Sequence, residues 1–132
     1  MHAYDFTIVA PQSKGSLAKL AEELGREKIN IEGLCAVEQN GTSMFHLLTT
    51  DKAATTQAIT KVGYKVARET EVIVERVENH PGALGKVTRR LADAGINLTT
   101  VYLATDTRLV LSCENLSALE SAWKNVAAVA SR

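Results

Sequence analysis

An internal repeat restricts the possible folds of this chain more than any other feature of its sequence. Several residues recur 67 positions later, in the pairs Gly15/Gly82, Leu17/Leu84, Leu24/Leu91, Ile29/Ile96 and Asn30/Asn97. After a predicted turn at residues 39–42 the spacing becomes 64, as in Leu47/Leu111 and Ala58/Ala122. Turns tolerate such small insertions. A match that continues through a loop, a helix and a strand predicts two copies of one structural unit, residues 1–69 and 70–132.

Both copies contain the patterns of strands and amphipathic helices in the same order. In the first copy we predict strands at 4–10, 29–38, 43–50 and 64–69 and helices at 15–26 and 52–61. Asp51 is a plausible N-cap for the second of these helices, and Asn40-Gly41 favours a hairpin turn. In the second copy we predict strands at 71–77, 96–105 and 108–113 and helices at 81–94 and 116–126.

These patterns predict an α+β fold with two ferredoxin-like βαββαβ units. Each unit would have an antiparallel sheet with its helices on one face. Leu84, Val87 and Leu91 have helical spacing and are expected to face the core, as are their counterparts in the first copy, which include Leu17.

The second copy departs from the first after Trp123, because only residues 124–132 follow. Residues 126–130 could extend the last helix as easily as form a strand. The fourth strand of this copy is therefore predicted to be short or missing. Because an open sheet edge favours pairing, we expect a strand from the same chain or from a partner to take this position, and a homodimer is the expected assembly.

Composition and charge exclude several classes of partner. The chain has 15 basic and 15 acidic residues, so no overall field attracts nucleic acid or an anionic membrane. The first residues lack the pattern of a signal peptide, and no apolar run approaches the ~20 residues that span a bilayer. We therefore expect a cytoplasmic protein with reduced Cys35 and Cys113.

Three kinds of chemistry lack the residues that they require. RNA-binding modules of this topology stack bases on aromatic residues of the central strands, but here those strands read Val72-Ile73-Val74 and Leu109-Val110-Leu111. Small metal carriers need a cysteine pair in the first loop, and neither copy has one. We find no combination of nucleophile, base or metal ligands. The sequence therefore predicts no enzymatic activity, no metal and no cofactor beyond a small effector.

The loop of the second copy, Asn79-His80-Pro81-Gly82-Ala83-Leu84, is the stretch best suited to binding. Pro81 suits the first position of a helix, where Asn79 or His80 would be the cap. Gly82 places no side chain over the backbone N–H groups, so a small carboxylate could approach them. Asn79 and Asn97 offer amide groups to the remainder of such a ligand, although capping alone would also explain them.

This loop and the following strand entry resemble the start of an ACT domain. That family has an acidic or amide residue, any residue, Pro-Gly, any residue and Leu, then a helix and a Gly-Ile/Val-Asn-Ile strand entry. Here the matching residues are Asn79 to Leu84, Leu91 and Gly95-Ile96-Asn97-Leu98. The resemblance covers nearly all of both copies, so the chain is similar to stand-alone tandem ACT proteins. It implies that a small effector, commonly an amino acid, binds where two units meet, between the first loop and the second strand.

The resemblance also implies ligand-binding residues in both copies. In the second copy they are Asn79, His80, Pro81, Gly82, Ala83 and Leu84, with Asn97 and Leu98 at the strand entry. In the first copy they are Gln12, Ser13, Lys14, Gly15, Ser16 and Leu17, with Asn30 and Ile31. Lys14 replaces the proline and Gln12 the shorter Asn79, so the first loop is expected to be less preorganised. The second loop is therefore the favoured site.

The resulting hypothesis is a non-catalytic regulatory protein that binds a small amino acid and acts on a partner enzyme or regulator. The alternative is an interaction module that docks on a partner enzyme through its sheet edges or faces without a ligand.

Overall fold

Strands and helices alternate along the chain in an α+β arrangement, and the sheet pairings are antiparallel. The computed structural model describes residues 2–130. Its strands are β1 (His2–Pro11), β2 (Gly33–Gln39), β3 (Thr42–Thr49), β4 (Lys65–Arg76), β5 (Leu98–Ala104) and β6 (Arg108–Cys113). Its helices are α1 (Ser16–Arg26), α2 (Lys52–Lys61), α3 (Ala83–Asp93) and α4 (Leu116–Ala130), with a short 3₁₀ turn at Thr105–Thr107.

The first compact unit comprises His2–Glu71. Its strands lie in the order β2-β3-β1-β4, and Phe6 of β1 lies opposite Leu47 of β3. Alternate residues of these strands pack against the apolar sides of α1 and α2, which are represented by Leu24 and Ile59. The period of two in the strands and of 3.6 in the helices therefore produces one buried layer between sheet and helices.

The second compact unit begins at Val72. Its strands lie in the order β4-β6-β5, and Ile73 of β4 lies opposite Leu111 of β6. These two residues pack with Leu91 of α3 and with Leu119 and Trp123 of α4. The described helices include none with the length and apolar character that a membrane span requires.

β4 is one strand of 12 residues, whereas the sequence predicted separate strands at 64–69 and 71–77. Residues 65–71 belong to the first unit and residues 72–76 to the second. The prediction of a break was wrong because residues 67–71 contain no glycine, proline or asparagine that would end a strand.

α4 continues to Ala130, four residues beyond the predicted end at residue 126. Residues 126–130 are therefore helical, and in the described part of the chain no strand follows α4. The reason is the composition of this stretch, which is mostly alanine and lacks a helix-breaking residue.

Two local predictions in the first unit are confirmed. The Asp51 side chain accepts a hydrogen bond from the backbone N–H of Ala54 at 3.0 Å and caps α2. Asn40 and Gly41 have φ values of 52° and 81°, which suit the tight hairpin turn between β2 and β3.

The predicted core positions in the first turns of α1 and α3 were wrong. Leu17 is 37% exposed and Leu84 is 43% exposed. The core-facing stripes begin one residue earlier and continue at steps of four. They comprise the buried Ser16, Leu20 and Leu24 in α1, and the buried Ala83 and Leu91 with the half-buried Val87 in α3. One residue is a rotation of about 100° around a helix, which carries Leu17 and Leu84 off the buried face.

Candidate functional site

The loop between β4 and α3 contains a tight turn. The Ala83 N–H donates to the His80 carbonyl oxygen at 3.2 Å, and Gly82 has φ 89° and ψ −13°. These angles are close to the roughly +80° and 0° of the third residue of a type II turn, which favours Pro at the second residue and Gly at the third. The prediction that Pro81 begins the helix is therefore wrong, because Pro81 belongs to the turn and α3 begins at Ala83.

The predicted capping role of Asn79 or His80 is also wrong. Gly82 occupies the N-cap position of α3, and no side chain makes a capping hydrogen bond there. Asn79 is exposed. The turn positions the chain for the helix through its backbone, so the cap that the sequence suggested is not needed.

The loop between β1 and α1 is the counterpart of this loop in the first copy, and it forms the same turn. The Ser16 N–H approaches the Ser13 carbonyl oxygen at 3.4 Å, and Gly15 has φ 84° and ψ 1°. Lys14 stands at the second position, where proline is favoured but not required. The positive φ at the third position explains why both copies retain glycine there.

His80 is held by two hydrogen-bond acceptors. Its Nε2 lies 2.6 Å from Oε2 of Glu78, and its Nδ1 lies 3.1 Å from the Pro81 carbonyl oxygen. Both nitrogens donate at once only in the imidazolium form. The Pro81 carbonyl, followed by the Glu78 carboxylate, therefore raises the pKa of His80 above the ordinary 6.5.

The predicted residues at the entries of β2 and β5 lie before or at the start of those strands. β5 begins at Leu98, which is half-buried and packs against the second core, while Asn97 is exposed. In the first unit Ile31 also packs against the core, and the Asn30 amide donates to the Glu32 carboxylate. The strands were predicted to begin at residues 29 and 96, which is too early, since β2 begins at Gly33.

A cavity of about 410 Å³ in the first unit lies between the β1–α1 loop and β2. Five residues of the predicted site line it, namely Gln12, Ser13, Gly15, Ser16 and Leu17. The other lining residues are Ala18, Ala36, Val37, Glu38, Ser43 and Phe45. Lys14, Asn30 and Ile31 are not among the lining residues. The cavity therefore combines loop atoms, one carboxylate and an apolar floor.

Hydrogen bonds hold the polar groups of this cavity in place. The Ser43 hydroxyl donates to the side-chain oxygen of Gln12, and Glu38 Oε1 accepts from the Gly41 N–H at 2.9 Å. The buried Ser16 hydroxyl donates to the Pro11 carbonyl oxygen at 2.6 Å.

Glu38 was not among the residues that the sequence patterns predicted for the site. The hairpin at Asn40-Gly41 places Glu38 opposite Ser43, and extending that turn into the strand register would have identified it.

A second cavity, of about 490 Å³, lies in the second unit between the end of β4, α3 and α4. From the predicted site only His80 and Ala83 line it. The other lining residues are Glu75, Arg76, Val77, Glu78, Lys86, Val87, Arg90, Trp123, Val126 and Ala127. The loop favoured from the sequence thus borders a cavity on its helix side.

No group of three His, Cys, Asp or Glu side chains suited to a metal occurs among the described residues.

Residues 70–124 match the family model described as the ACT domain. The matched segment begins within β4, contains the loop at residues 79–84 together with α3, β5 and β6, and ends in α4. The second half of the chain is therefore similar to an ACT domain. No curated protein matches the chain in sequence.

Three solved structures resemble nearly the whole chain. A protein from Bacteroides thetaiotaomicron is 25% identical with a TM-score of 0.81, over 95% of this chain and 88% of that one. The ligand-free regulatory subunit of aspartate kinase from Thermus thermophilus is 16% identical with a TM-score of 0.71, over 95% and 89% of the two chains. The regulatory subunit of aspartate kinase from Thermus flavus is 17% identical with a TM-score of 0.59, over 95% and 92%. The likeness to the two regulatory subunits shows that this chain shares their fold.

Proposed function

We propose that this chain is a non-catalytic, cytoplasmic regulatory protein of two ACT units that binds a small amino acid. Support for the ACT assignment comes from the match over residues 70–124 and, for the first unit, from the turn that recurs with Gly15 in place of Gly82. The likeness in fold to proteins named as regulatory subunits agrees with a role in controlling an enzyme.

The observation that carries the proposal is the cavity between the β1–α1 loop and β2 of the first unit. Glu38 supplies an acceptor for the ligand ammonium, and the backbone N–H of Gly15 in the loop supplies a donor for its carboxylate. Val37 and Phe45 provide an apolar surface for a side chain. The volume of about 410 Å³ falls in the usual range of small-molecule sites, about 300–1,000 Å³.

In this proposal the site is completed by an ACT unit of a second copy of the chain. Leu17 and Val37 line the cavity and yet are 37% and 50% exposed. A second unit placed over them would remove apolar surface from water, and it would enclose the ligand.

A thermal-shift panel of the twenty amino acids tests the binding. A ligand at a hundredfold excess over its dissociation constant stabilises the folded chain by about 2.7 kcal/mol, so we expect at least one amino acid to raise the melting temperature. For that amino acid, Glu38→Gln should weaken binding roughly two- to fivefold, because it removes an exposed ion pair. Glu22→Gln, an exposed change on α1 away from the cavity, is the matched control.

Aspartate substitutions distinguish the two loops. Gly15→Asp places a negative charge at the first cavity, and Gly82→Asp does the same at the second loop. The loop that holds the effector is the one at which this change abolishes the thermal shift. If no amino acid raises the melting temperature of the unmodified chain, the proposed binding function is wrong.

A ligand-free interaction module is the second candidate, and exposed apolar residues of β5 favour it. Val101 and Leu103 are 42% and 57% exposed, and they lie opposite the buried Leu111 and Leu109 of β6. Such a surface suits contact with another protein. This candidate predicts that Gly82→Asp leaves partner-enzyme binding intact and that no amino acid changes its affinity.

A further inference from the structure

The cavity of the second unit corresponds to a position that a side chain occupies in the first unit. The lining residues Ala83, Lys86, Val87 and Arg90 of α3 correspond in the repeat to Ser16, Lys19, Leu20 and Glu23 of α1. Trp123 and Val126 of α4 correspond in the same way to Ile59 and Val62 at the end of α2.

In the first unit the equivalent surfaces surround Tyr64. Its hydroxyl donates to the Ser16 carbonyl oxygen at 2.8 Å, and the Lys19 ammonium lies 5.8 Å from the centre of its ring. The ring also packs against the core of that unit. This arrangement combines a hydroxyl acceptor, a cation over the ring and an apolar floor.

The course of the backbone explains why the second unit has no such tyrosine. α2 ends at Lys61, and Gly63 with φ 82° turns the chain so that Tyr64 returns beside α1. Residue 128, at the equivalent position, is an alanine within α4, which continues to Ala130. The second unit therefore retains the surrounding elements and has a cavity of about 490 Å³ between them.

The charges at the cavity differ from those in the first unit in one important respect. Glu23 pairs with Arg26 and Lys61, at 2.6 Å and 3.0 Å, but its counterpart is the cation Arg90. Lys86 and Arg90 are one turn apart on α3, and neither makes an ion pair with a described residue. They therefore offer positive charge to a ligand.

Two carboxylates also line the cavity, but they have partners. Glu78 pairs with His80 at 2.6 Å, and Glu75 makes an interaction within the chain.

We propose that this cavity binds a small aromatic carboxylate with a ring hydroxyl. The ring takes the place that Tyr64 has in the first unit, between Val87, Trp123 and Val126. The hydroxyl donates to the Ala83 carbonyl oxygen, and the carboxylate pairs with Lys86 and Arg90. The cavity lies on the helix side of the loop, so this site is separate from the amino-acid site proposed above and does not rest on it.

Trp123 provides a direct measurement, because it is the single tryptophan of the chain and lines the cavity. Titration with 4-hydroxyphenylacetate, which lacks an α-ammonium group, should change the Trp123 fluorescence in a saturable manner. We expect a dissociation constant on the order of 1 mM or below. Acetate, which has the carboxylate without the ring, should produce no saturable change.

Variants test the two halves of the site separately. The double variant Lys86→Gln/Arg90→Gln should weaken 4-hydroxyphenylacetate binding about tenfold, since two exposed ion pairs are lost. It should weaken binding of the neutral 4-methylphenol less, because only the cation over the ring is lost. Ala127→Phe places a ring at the entrance of the cavity and should weaken the binding of both ligands. Lys124→Phe, an exposed change on the same helix away from the cavity, is the control.

The proposal is overturned if Trp123 shows no saturable change up to on the order of 10 mM ligand. It is also overturned if the Ala127→Phe and Lys124→Phe variants bind 4-hydroxyphenylacetate with the same affinity. Equal losses of affinity for 4-hydroxyphenylacetate and 4-methylphenol in the double variant would also overturn it, because Lys86 and Arg90 would then not recognise the carboxylate.

Discussion

At the scale of single residues, four positions with left-handed backbone define the two loops and the two helix ends. Gly15 and Gly82 have φ values of 84° and 89° in the turns before α1 and α3. Lys28 and Gly95, which correspond to each other in the repeat, have φ values of 58° and 81° after these helices. The repeat in the sequence therefore reflects a repeat in backbone conformation, in which glycine is favoured because it has no Cβ.

Gly82 and Gly85 provide a matched test of this point. A Cβ added at either residue would meet no atom within 4 Å, so only backbone conformation distinguishes them. Gly82→Ala should lower the free energy of unfolding by roughly 1–2 kcal/mol, because alanine is strained at positive φ. Gly85→Ala, inside α3, should raise it by roughly 0.5–1 kcal/mol. Urea denaturation measures both, and equal effects would show that the turn does not require its left-handed residue.

At the scale of elements, a buried carboxylate connects α1 to α2. The Glu23 side chain is 3% exposed and lies 2.6 Å from Arg26 of its own helix and 3.0 Å from Lys61 of α2. The Lys61 ammonium, followed by the Arg26 guanidinium, lowers the pKa of Glu23 below its ordinary 4.5. The second unit has Arg90 and Asn125 at the equivalent positions and cannot form this pair.

The lowered pKa sets the pH range in which this connection acts. A carboxyl group whose pKa is lower in the folded state adds stability above its unfolded pKa, and this contribution is lost as pH falls through the folded pKa. Glu23→Gln should therefore lower the melting temperature at pH 7, and the difference from the unmodified chain should shrink in acid below pH 4.5. Thermal unfolding followed across this range provides the measurement.

Glu22→Gln on the exposed side of α1 is the control for this experiment and should have little effect at any pH. If Glu23→Gln lowers the melting temperature by the same amount at every pH, the residue acts through packing and not through its charge.

At the scale of the whole molecule, the exposed apolar residues of the outer strands bear on assembly. β2 and β5 are the end strands of their units, and Val37 and Leu103 on them are 50% and 57% exposed. Unpaired strand edges with apolar side chains favour association. They support the proposed homodimer more directly than the expected exchange of a fourth strand, because α4 is helical to Ala130.

A charge on β5 tests this assembly. Leu103→Lys should weaken dimer formation by about tenfold or more, since it places an ammonium group in an apolar contact. Ser121→Lys adds the same charge at an exposed position of α4 and should not change the association. Light scattering after size-exclusion chromatography measures the mass, and a monomeric unmodified chain at every concentration would contradict the proposal.

Local patterns in the sequence were sufficient for the α+β class, the Asp51 cap, the Asn40-Gly41 hairpin and most of the element order. These features depend on neighbouring residues, through side-chain periodicity and turn preference. The prediction that Pro81 begins the helix was wrong because proline suits a helix start and a type II turn equally well. Five of the residues predicted for the first loop line the first cavity, and their role in binding stays a prediction.

The cavities and the exposure of particular leucines depended on tertiary packing. Leu17 and Leu84 fit the helical pattern, yet the sheets bury the neighbouring Ser16 and Ala83 instead. Glu38 reaches the first cavity through strand pairing, and the second cavity exists because α4 continues where the first unit turns back at Gly63. Periodicity indicates which residues can be buried, but the face that is buried, and the space left beside it, depend on contacts between residues distant in the chain.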